Sequence, residues 1–121
     1  MTDDPYRLPE ISVRTLAEWM KTKPDLILMD VREAGEVAYA SLRDPRVVHV
    51  PMSQLSRLLL DALPPTVTPE SEVVVFCHVG GRSAQVVHWL NARNGFANVH
   101  NLTGGIDAYA AEIDPSIARY A

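Results

Sequence analysis

The sequence contains only one cysteine among its 121 residues. A single cysteine excludes an internal disulfide and any pair of thiols spaced for redox cycling. Basic residues are not clustered either, and the formal net charge is −4 at pH 7, so we expect neither a nucleic-acid surface nor a basic membrane-binding face. No apolar run approaches the length that spans a bilayer, and the first residues lack the pattern of a secretory signal. We therefore expect a cytoplasmic protein without nucleic-acid or membrane partners.

The composition fits one ordinary globular domain. Hydrophobic residues make up 47% of the chain and charged residues 21%, which is typical of a folded domain with its own core. Residues 1–10 are polar and contain proline, and we expect them to form a mobile N-terminal arm. Residues 11–121 are then expected to form the domain.

Short apolar runs alternate with amphipathic segments along this domain. We predict strands at residues 11–13, 26–29, 47–50, 73–76 and 98–101, and helices at residues 15–22, 33–42, 53–63, 83–94 and 106–113. This order predicts an α/β fold in which helices cover both faces of a mostly parallel central sheet of about five strands. Such folds bind ligands beyond the C-terminal ends of their strands, and Asp30, Cys77 and the Gly104-Gly105 turn all lie at such ends.

Two helices carry more detailed signals. Thr15, followed three residues later by Glu18, predicts a capping box at the start of the first helix. In the third helix, the spacing of Leu55, Leu58 and Leu59 predicts that these three side chains form its inner face.

Cys77 is the most informative residue of the chain, because it follows four consecutive apolar residues and precedes a glycine-containing loop. The N-terminus of the helix predicted after this loop carries a partial positive charge that favours a thiolate. Comparable settings lower a cysteine pKa from about 8.5 to between roughly 3.5 and 7.5. Gly80 and Gly81 allow the loop amides to approach an anion, and Arg82 adds a permanent positive charge. Cys77 is therefore predicted to be a nucleophile beside an anion site rather than a small core side chain.

The other polar residues near these strand ends allow two interpretations each. Asp30 and Arg32 are expected either to border a cleft or to fix the end of their strand by pairing with each other or with backbone amides. His78 lies inside the loop, where it is expected to influence specificity more than to act as an acid or base. The remaining histidines have no metal-ligand spacing, so no metal site is expected.

Three motifs in this order and spacing resemble those of single-domain rhodanese-like proteins, which are sulfurtransferases. The resemblance extends from about residue 11 to residue 120, and the tail at residues 114–120 is also similar to the ending of small bacterial members. The motifs are LMDVRE at residues 28–33, CHVGGRS at residues 77–83 and LTGGIDA at residues 102–108.

The resemblance implies that Cys77 carries sulfur as a persulfide. A small anionic donor such as thiosulfate would supply the sulfur, and cyanide, a thiol or an acceptor protein would receive it, with no metal or organic cofactor. The resemblance also implies a substrate-binding role for the loop, and we add the two strand-end residues as candidates, giving His78, Val79, Gly80, Gly81, Arg82, Ser83, Asp30 and Arg32.

Two alternatives remain open at this point. Rhodanese-like modules also serve as sulfur carriers or regulatory interaction domains without substantial turnover, although those modules frequently lack the cysteine. Related phosphatases use a loop with one more residue between cysteine and arginine, so the six residues 77–82 favour sulfur over phosphate or arsenate. The sequence departs from the family pattern at residues 39–48, which border the expected entrance, and at Tyr109, where an aromatic residue replaces tryptophan.

Overall fold

A central sheet of five parallel strands organises the computed structural model, which describes residues 8–121. The strands are β1 (Glu10–Ile11), β2 (Ile27–Asp30), β3 (Val47–His49), β4 (Val73–Phe76) and β5 (Val99–Leu102). The helices are α1 (Val13–Thr22), α2 (Ala34–Tyr39), α3 (Met52–Leu58), α4 (Gly81–His88) and α5 (Gly105–Glu112). The strand order is β1-β5-β4-β2-β3, and every neighbouring pair is parallel. Because parallel strands end at the same edge, residues that follow β2, β4 and β5 are brought together.

Apolar side chains of the sheet point alternately to two separate cores. Val74 and Phe76 of β4 pack with α1 and α5, through side chains such as Leu16 and Ile106. Val73 and Val75 face the other side, where α3 contributes Leu55 and α4 contributes Val86 and Val87. A π-helical turn (Trp89–Arg93) continues α4 and adds Leu90 to this core. All four residues of β4 are buried, as expected for a central strand covered on both faces. The predicted α/β fold with helices on both faces is confirmed.

The start of the described chain differs from the prediction. Ser12 caps α1, and its side-chain oxygen accepts a hydrogen bond from the Thr15 amide at 3.1 Å, so the prediction that Thr15 caps this helix is wrong. Serine and threonine cap helices almost equally well, and the local sequence does not distinguish them. Glu10, which we expected in the mobile arm, belongs to β1 and is paired with Asn101 of β5. The first seven residues of that arm lie outside the described residues.

The prediction for the inner face of α3 is also wrong in part. Leu55 is buried, but Leu58 and Leu59 are 40% and 57% exposed. The helix ends at Leu58 because Leu59 adopts a positive φ of 54°, and a 3₁₀ turn (Leu59–Ala62) follows. The helical spacing therefore does not continue through these leucines.

The fold brings the N-terminus of α5 onto the loop that follows β4. The amide of Ile106 donates to the Cys77 carbonyl at 2.9 Å, and the amide of Asp107 donates to the His78 carbonyl at 3.0 Å. Gly105 has a φ of +62°, and a Cβ at this position would lie 2.6 Å from the Cys77 carbonyl oxygen and would also collide with that of His78. Only glycine therefore permits this contact between α5 and the loop.

We predict that Gly105→Ala lowers the free energy of unfolding by about 3 kcal/mol or more, because the new methyl group meets backbone atoms at a residue with positive φ. Gly35→Ala is the matched control, since Gly35 lies in α2 and no atom would come within 4 Å of its added methyl group. This control should leave stability unchanged or raise it by up to about 1 kcal/mol. Urea denaturation of both variants provides the measurement, and equal effects would contradict the prediction.

Candidate active site

Cys77 directly follows β4, and the residue is only 1% exposed. Three hydrogen-bond donors surround its sulfur: the Gly80 amide lies 3.1 Å from Sγ, the Ser83 amide 3.4 Å and the Ser83 hydroxyl 3.3 Å. The two amides belong to the first turn of α4 and the residue before it. This arrangement is suited to a sulfur anion, because fixed donors replace the water that burial removes.

The donors decide the ionisation of the thiol. Burial by itself would raise the pKa of Cys77, but hydrogen bonds from the Ser83 hydroxyl and from the amides of Ser83, Gly80 and Arg82 outweigh this effect and lower the pKa overall. The lower pKa favours the thiolate, which is the nucleophilic form of cysteine.

Gly80 places these amides in position, whereas a Cβ at Gly81 would meet no atom within 4 Å. Helix α4 begins at Gly81, two residues earlier than predicted, so Gly81 and Arg82 belong to its first turn. Gly80 precedes the helix with a φ of +109°, and a Cβ there would lie 3.5 Å from the Gly104 nitrogen and from the Leu102 oxygen. The left-handed conformation of Gly80 turns the chain so that its amide points at the sulfur.

Ser83 is fully buried, and three acceptors lie within hydrogen-bond distance of its hydroxyl oxygen. Its oxygen lies 2.6 Å from Oδ1 of Asn101 and 3.3 Å from the Gly80 carbonyl, in addition to the Cys77 sulfur. The side-chain amide of Asn101 in turn donates to the Gly80 carbonyl at 3.2 Å and to the Glu10 carboxylate at 3.2 Å. Sequence reasoning missed Asn101, although an amide within the predicted last strand was a usable signal.

Arg82 forms a two-point ion pair with Glu36 of α2. Its terminal nitrogens lie 2.7 Å from Oε2 and 2.7 Å from Oε1 of Glu36. The hydrogen bonds from Arg82 lower the pKa of Glu36 to about 2, and the same pairing raises the pKa of Arg82. The guanidinium that we expected to attract an anionic donor is thus already held by a carboxylate, which sequence reasoning did not identify.

Asp30 and Arg32 pair with each other beneath the site. The Arg32 side chain is 0% exposed, and its Nε and Nη2 donate to the two Asp30 oxygens at 3.0 and 2.8 Å. Burial would lower the pKa of Arg32, but the hydrogen bonds to Asp30 and Tyr120 raise it overall. Nη2 also donates to the Ala40 carbonyl at 2.7 Å. The structure places both residues as a buried pair that ties the end of β2 to the chain after α2.

Tyr120 connects the C-terminal tail to this network. Its ring stacks on His78 with centroids 3.9 Å apart and an interplanar angle of 11°. Its hydroxyl accepts from Arg32 Nη1 at 3.1 Å and donates to Glu36 at 3.1 Å. His78 is therefore covered on one ring face, whereas Val79, next to it in the loop, is 60% exposed at the rim of the site.

Residues 39–48, the segment that departs from the family pattern, contact the site at their first two residues, Tyr39 and Ala40. The Tyr39 ring meets Tyr120 edge-on at 5.8 Å. Farther along, Arg46 pairs with Asp44 and donates to the carbonyls of Met20 and Lys23 at 2.9 and 3.0 Å, which ties this part to the end of α1.

Tyr109, the second departure, is buried among the core residues shared by α1 and α5. Its hydroxyl lies 3.7 Å from the Met20 sulfur.

Across residues 8–121, no three His, Cys, Asp or Glu side chains are grouped so that they could hold a metal ion. Within the same span, no helix has the length and apolar character required to cross a membrane.

Known proteins are similar to this chain in sequence and in fold. Over 93 residues, the chain is 44% identical to Rhodanese-like/PpiC domain-containing protein 12, chloroplastic, from Arabidopsis thaliana; the alignment covers 77% of this chain but only 30% of that protein's length. It is 30% identical over 109 residues to a protein from Allochromatium vinosum named Sulfurtransferase, with 90% of this chain and 94% of that protein covered.

A solved structure and a family model agree with these relatives. The structure of a rhodanese-related protein from Thermoplasma volcanium superposes with a TM-score of 0.71 at 26% identity, covering 93% of this chain and 99% of that one. The family model described as the rhodanese-like domain matches residues 12–112, from the cap of α1 to the end of α5 and including the whole Cys77 loop. The chain belongs to the rhodanese-like domain family.

Proposed function

We propose that this chain is a sulfurtransferase that moves sulfane sulfur from a donor to a thiophilic acceptor through a persulfide on Cys77. The observation that carries the proposal is the convergence of the Gly80 amide, the Ser83 amide and the Ser83 hydroxyl on the Cys77 sulfur, at 3.1 to 3.4 Å. The name of the Allochromatium relative supports the same reaction class.

In the first step, the Cys77 thiolate attacks the outer sulfur of thiosulfate. A sulfur–sulfur bond forms at Cys77, the bond between the two sulfurs of the donor breaks, and sulfite leaves with the bonding electrons. The product is a Cys77 persulfide anion, and the amides of Gly80, Arg82 and Ser83 are the groups that would stabilise its charge. Gly81 begins the helix that carries the Arg82 and Ser83 amides, while His78 and Val79 form the rim against which the donor would bind.

In the second step, cyanide attacks the outer sulfur of the persulfide and leaves as thiocyanate, which restores the Cys77 thiolate. A thiol acceptor would take the sulfur in the same way. The 121 residues contain no second cysteine, so the acceptor thiol must come from another molecule or from another part of a longer protein. Because a working thiolate has to remain reduced between turnovers, a reducing compartment such as the cytoplasm suits this reaction.

The buried pair of Asp30 and Arg32 would support the site rather than bind the donor directly. The carboxylate of Asp30 is occupied by Arg32, and Arg32 has no exposed surface. In this proposal the pair holds the chain between β2 and α2 in place, so that Glu36 and Arg82 meet beside the Cys77 loop. We call the position of these two side chains the entrance of the site.

A sulfur-carrier role without substantial turnover is the second candidate. One observation favours it: the chain spans 30% of the length of the Arabidopsis relative, whose name also includes a PpiC domain, so a domain of this kind occurs as one part of a longer protein. The two candidates differ in whether the sulfur is released to a small acceptor in repeated cycles.

We predict that wild-type protein mixed with thiosulfate gains the mass of one sulfur atom per chain, and that Cys77→Ser gains none, because the persulfide requires the thiol. Intact-mass spectrometry measures the gain, and a colorimetric thiocyanate assay measures release to cyanide. Sulfur uptake with no repeated thiocyanate formation would support the carrier role. If the wild type takes up no sulfur from any sulfane donor, the persulfide proposal is wrong.

We also predict that Ser83→Ala raises the pKa of Cys77, because it removes the hydroxyl hydrogen bond that stabilises the thiolate. The rate of sulfur loading should then reach its plateau at a higher pH than in the wild type. Ultraviolet absorbance of the thiolate during a pH titration gives the pKa directly. Ser56→Ala, at an exposed position of α3, is the control. An unchanged pKa in Ser83→Ala would mean that the hydroxyl serves Asn101 alone.

A further inference from the structure

In the part of the chain that the structure describes, three arginines around the Cys77 loop are engaged by carboxylates. Each of three guanidinium groups near the loop makes a two-point pair at distances of 2.7 to 3.0 Å. The pairs are Arg82 with Glu36, Arg32 with Asp30, and Arg119 with Asp107. An approaching donor therefore meets neutralised pairs at Arg82 and Arg119 instead of free cations, while the pair of Arg32 and Asp30 is buried.

The pair of Arg82 and Glu36 is the one that matters for the donor. Arg82 belongs to the first turn of α4, whose amides surround the sulfur, and its charge interacts with that of Cys77. Its side chain is 35% exposed, while that of Glu36 is 26% exposed, so both groups are accessible at the entrance. The buried Arg32, by contrast, has no surface that a donor could contact.

Glu36 is fixed in this position from three directions. Besides the two bonds from Arg82, its Oε1 accepts from the Tyr120 hydroxyl at 3.1 Å, and its Oε2 accepts from the Glu33 amide at 3.0 Å. The carboxylate is consequently part of the framework of the site and cannot leave Arg82 without losing the other contacts.

We propose that Glu36 is a specificity-determining residue that selects sulfur donors by their charge. By occupying the guanidinium of Arg82, it disfavours doubly negative donors such as thiosulfate relative to singly negative or uncharged sulfane-sulfur compounds. This inference rests on the proposed persulfide function of Cys77 and adds the class of donor to it.

The physical reason is that the interaction of a donor with Glu36 and Arg82 scales with the charge of the donor. A donor carrying two negative charges is repelled about twice as strongly by Glu36 as a donor carrying one, and it would gain about twice as much from a free Arg82. Removing the Glu36 charge should therefore help a dianion more than a monoanion. The effect should weaken at high salt.

Two donors that differ by one charge provide the test. Thiosulfate is a dianion, and the methanethiosulfonate anion carries the same outer sulfur on a sulfonyl group with a methyl in place of one charged oxygen. Cys77 thiolate attacks the outer sulfur of either donor and forms the same persulfide, while sulfite leaves from the first and methanesulfinate from the second. Stopped reactions analysed by intact mass give the second-order loading rate for each donor at low ionic strength.

We expect Glu36→Gln to raise the loading rate about tenfold for thiosulfate and about threefold or less for methanethiosulfonate. Arg82→Gln leaves the Glu36 charge without its partner and should shift the ratio of the two rates against thiosulfate, and adding Glu36→Gln to it should return the ratio to near the wild-type value. Tyr120→Phe removes one hydrogen bond from Glu36 and should shift the ratio in the same direction by a smaller factor. Glu112→Gln is the charge-matched control, since Glu112 pairs with exposed Arg14 on the surface, and it should leave the ratio unchanged.

The outcomes separate this inference from the proposed function. If the wild type loads sulfur but neither Glu36→Gln nor Tyr120→Phe changes the ratio of rates, the role of Glu36 is refuted while sulfur transfer stands. The same conclusion follows if Arg82→Gln does not shift the ratio against thiosulfate. If the wild type loads sulfur from neither donor, the proposed function fails, and the inference fails with it.

Discussion

An anionic sulfur held away from water needs hydrogen-bond donors in place of the solvent, and the end of β4 is organised around this requirement. Cys77 is almost completely buried, yet its pKa is lowered because amides and a hydroxyl converge on the sulfur. That convergence depends on where α4 begins. The helix starts at Gly81, and the left-handed Gly80 before it directs the first amides toward the thiol.

The loop keeps this shape because a second helix holds it. The first amides of α5 donate to the carbonyls of Cys77 and His78, so the backbone of the loop is fixed at the sulfur-bearing residue itself. This contact requires a backbone approach that leaves no room for a side chain at Gly105. The central position of β4 between β2 and β5 brings these parts together, because parallel strands deliver their following loops to one edge of the sheet.

Charge pairing at the entrance adds selectivity to a site whose reactivity is set by the backbone. Arg82 extends from the loop, but Glu36 neutralises it, and the depressed pKa of Glu36, about 2, keeps that carboxylate ionised at neutral pH. Tyr120 links Glu36 to the buried pair of Arg32 and Asp30 and covers the ring of His78. The thiolate environment and the charge of the entrance are thus controlled by different residues, so one can change while the other is preserved.

The sequence by itself determined most of the elements and the position of Cys77 at the end of a buried strand. The apolar run at Val73–Phe76 predicted β4 with its observed bounds, and Gly80 predicted a loop that can turn its amides toward Cys77, because these features depend on neighbours within a few residues. Local signals failed where two choices were nearly equal, as with Ser12 and Thr15 at the start of α1, or where a backbone turn interrupted a pattern, as at Leu59. Only the tertiary structure decided which carboxylate holds Arg82, since Glu36 lies 46 positions away in the chain, and that Tyr120 secures Glu36 across 84 positions. No local pattern encodes such pairs, because they arise from how the sheet and the tail pack around the loop.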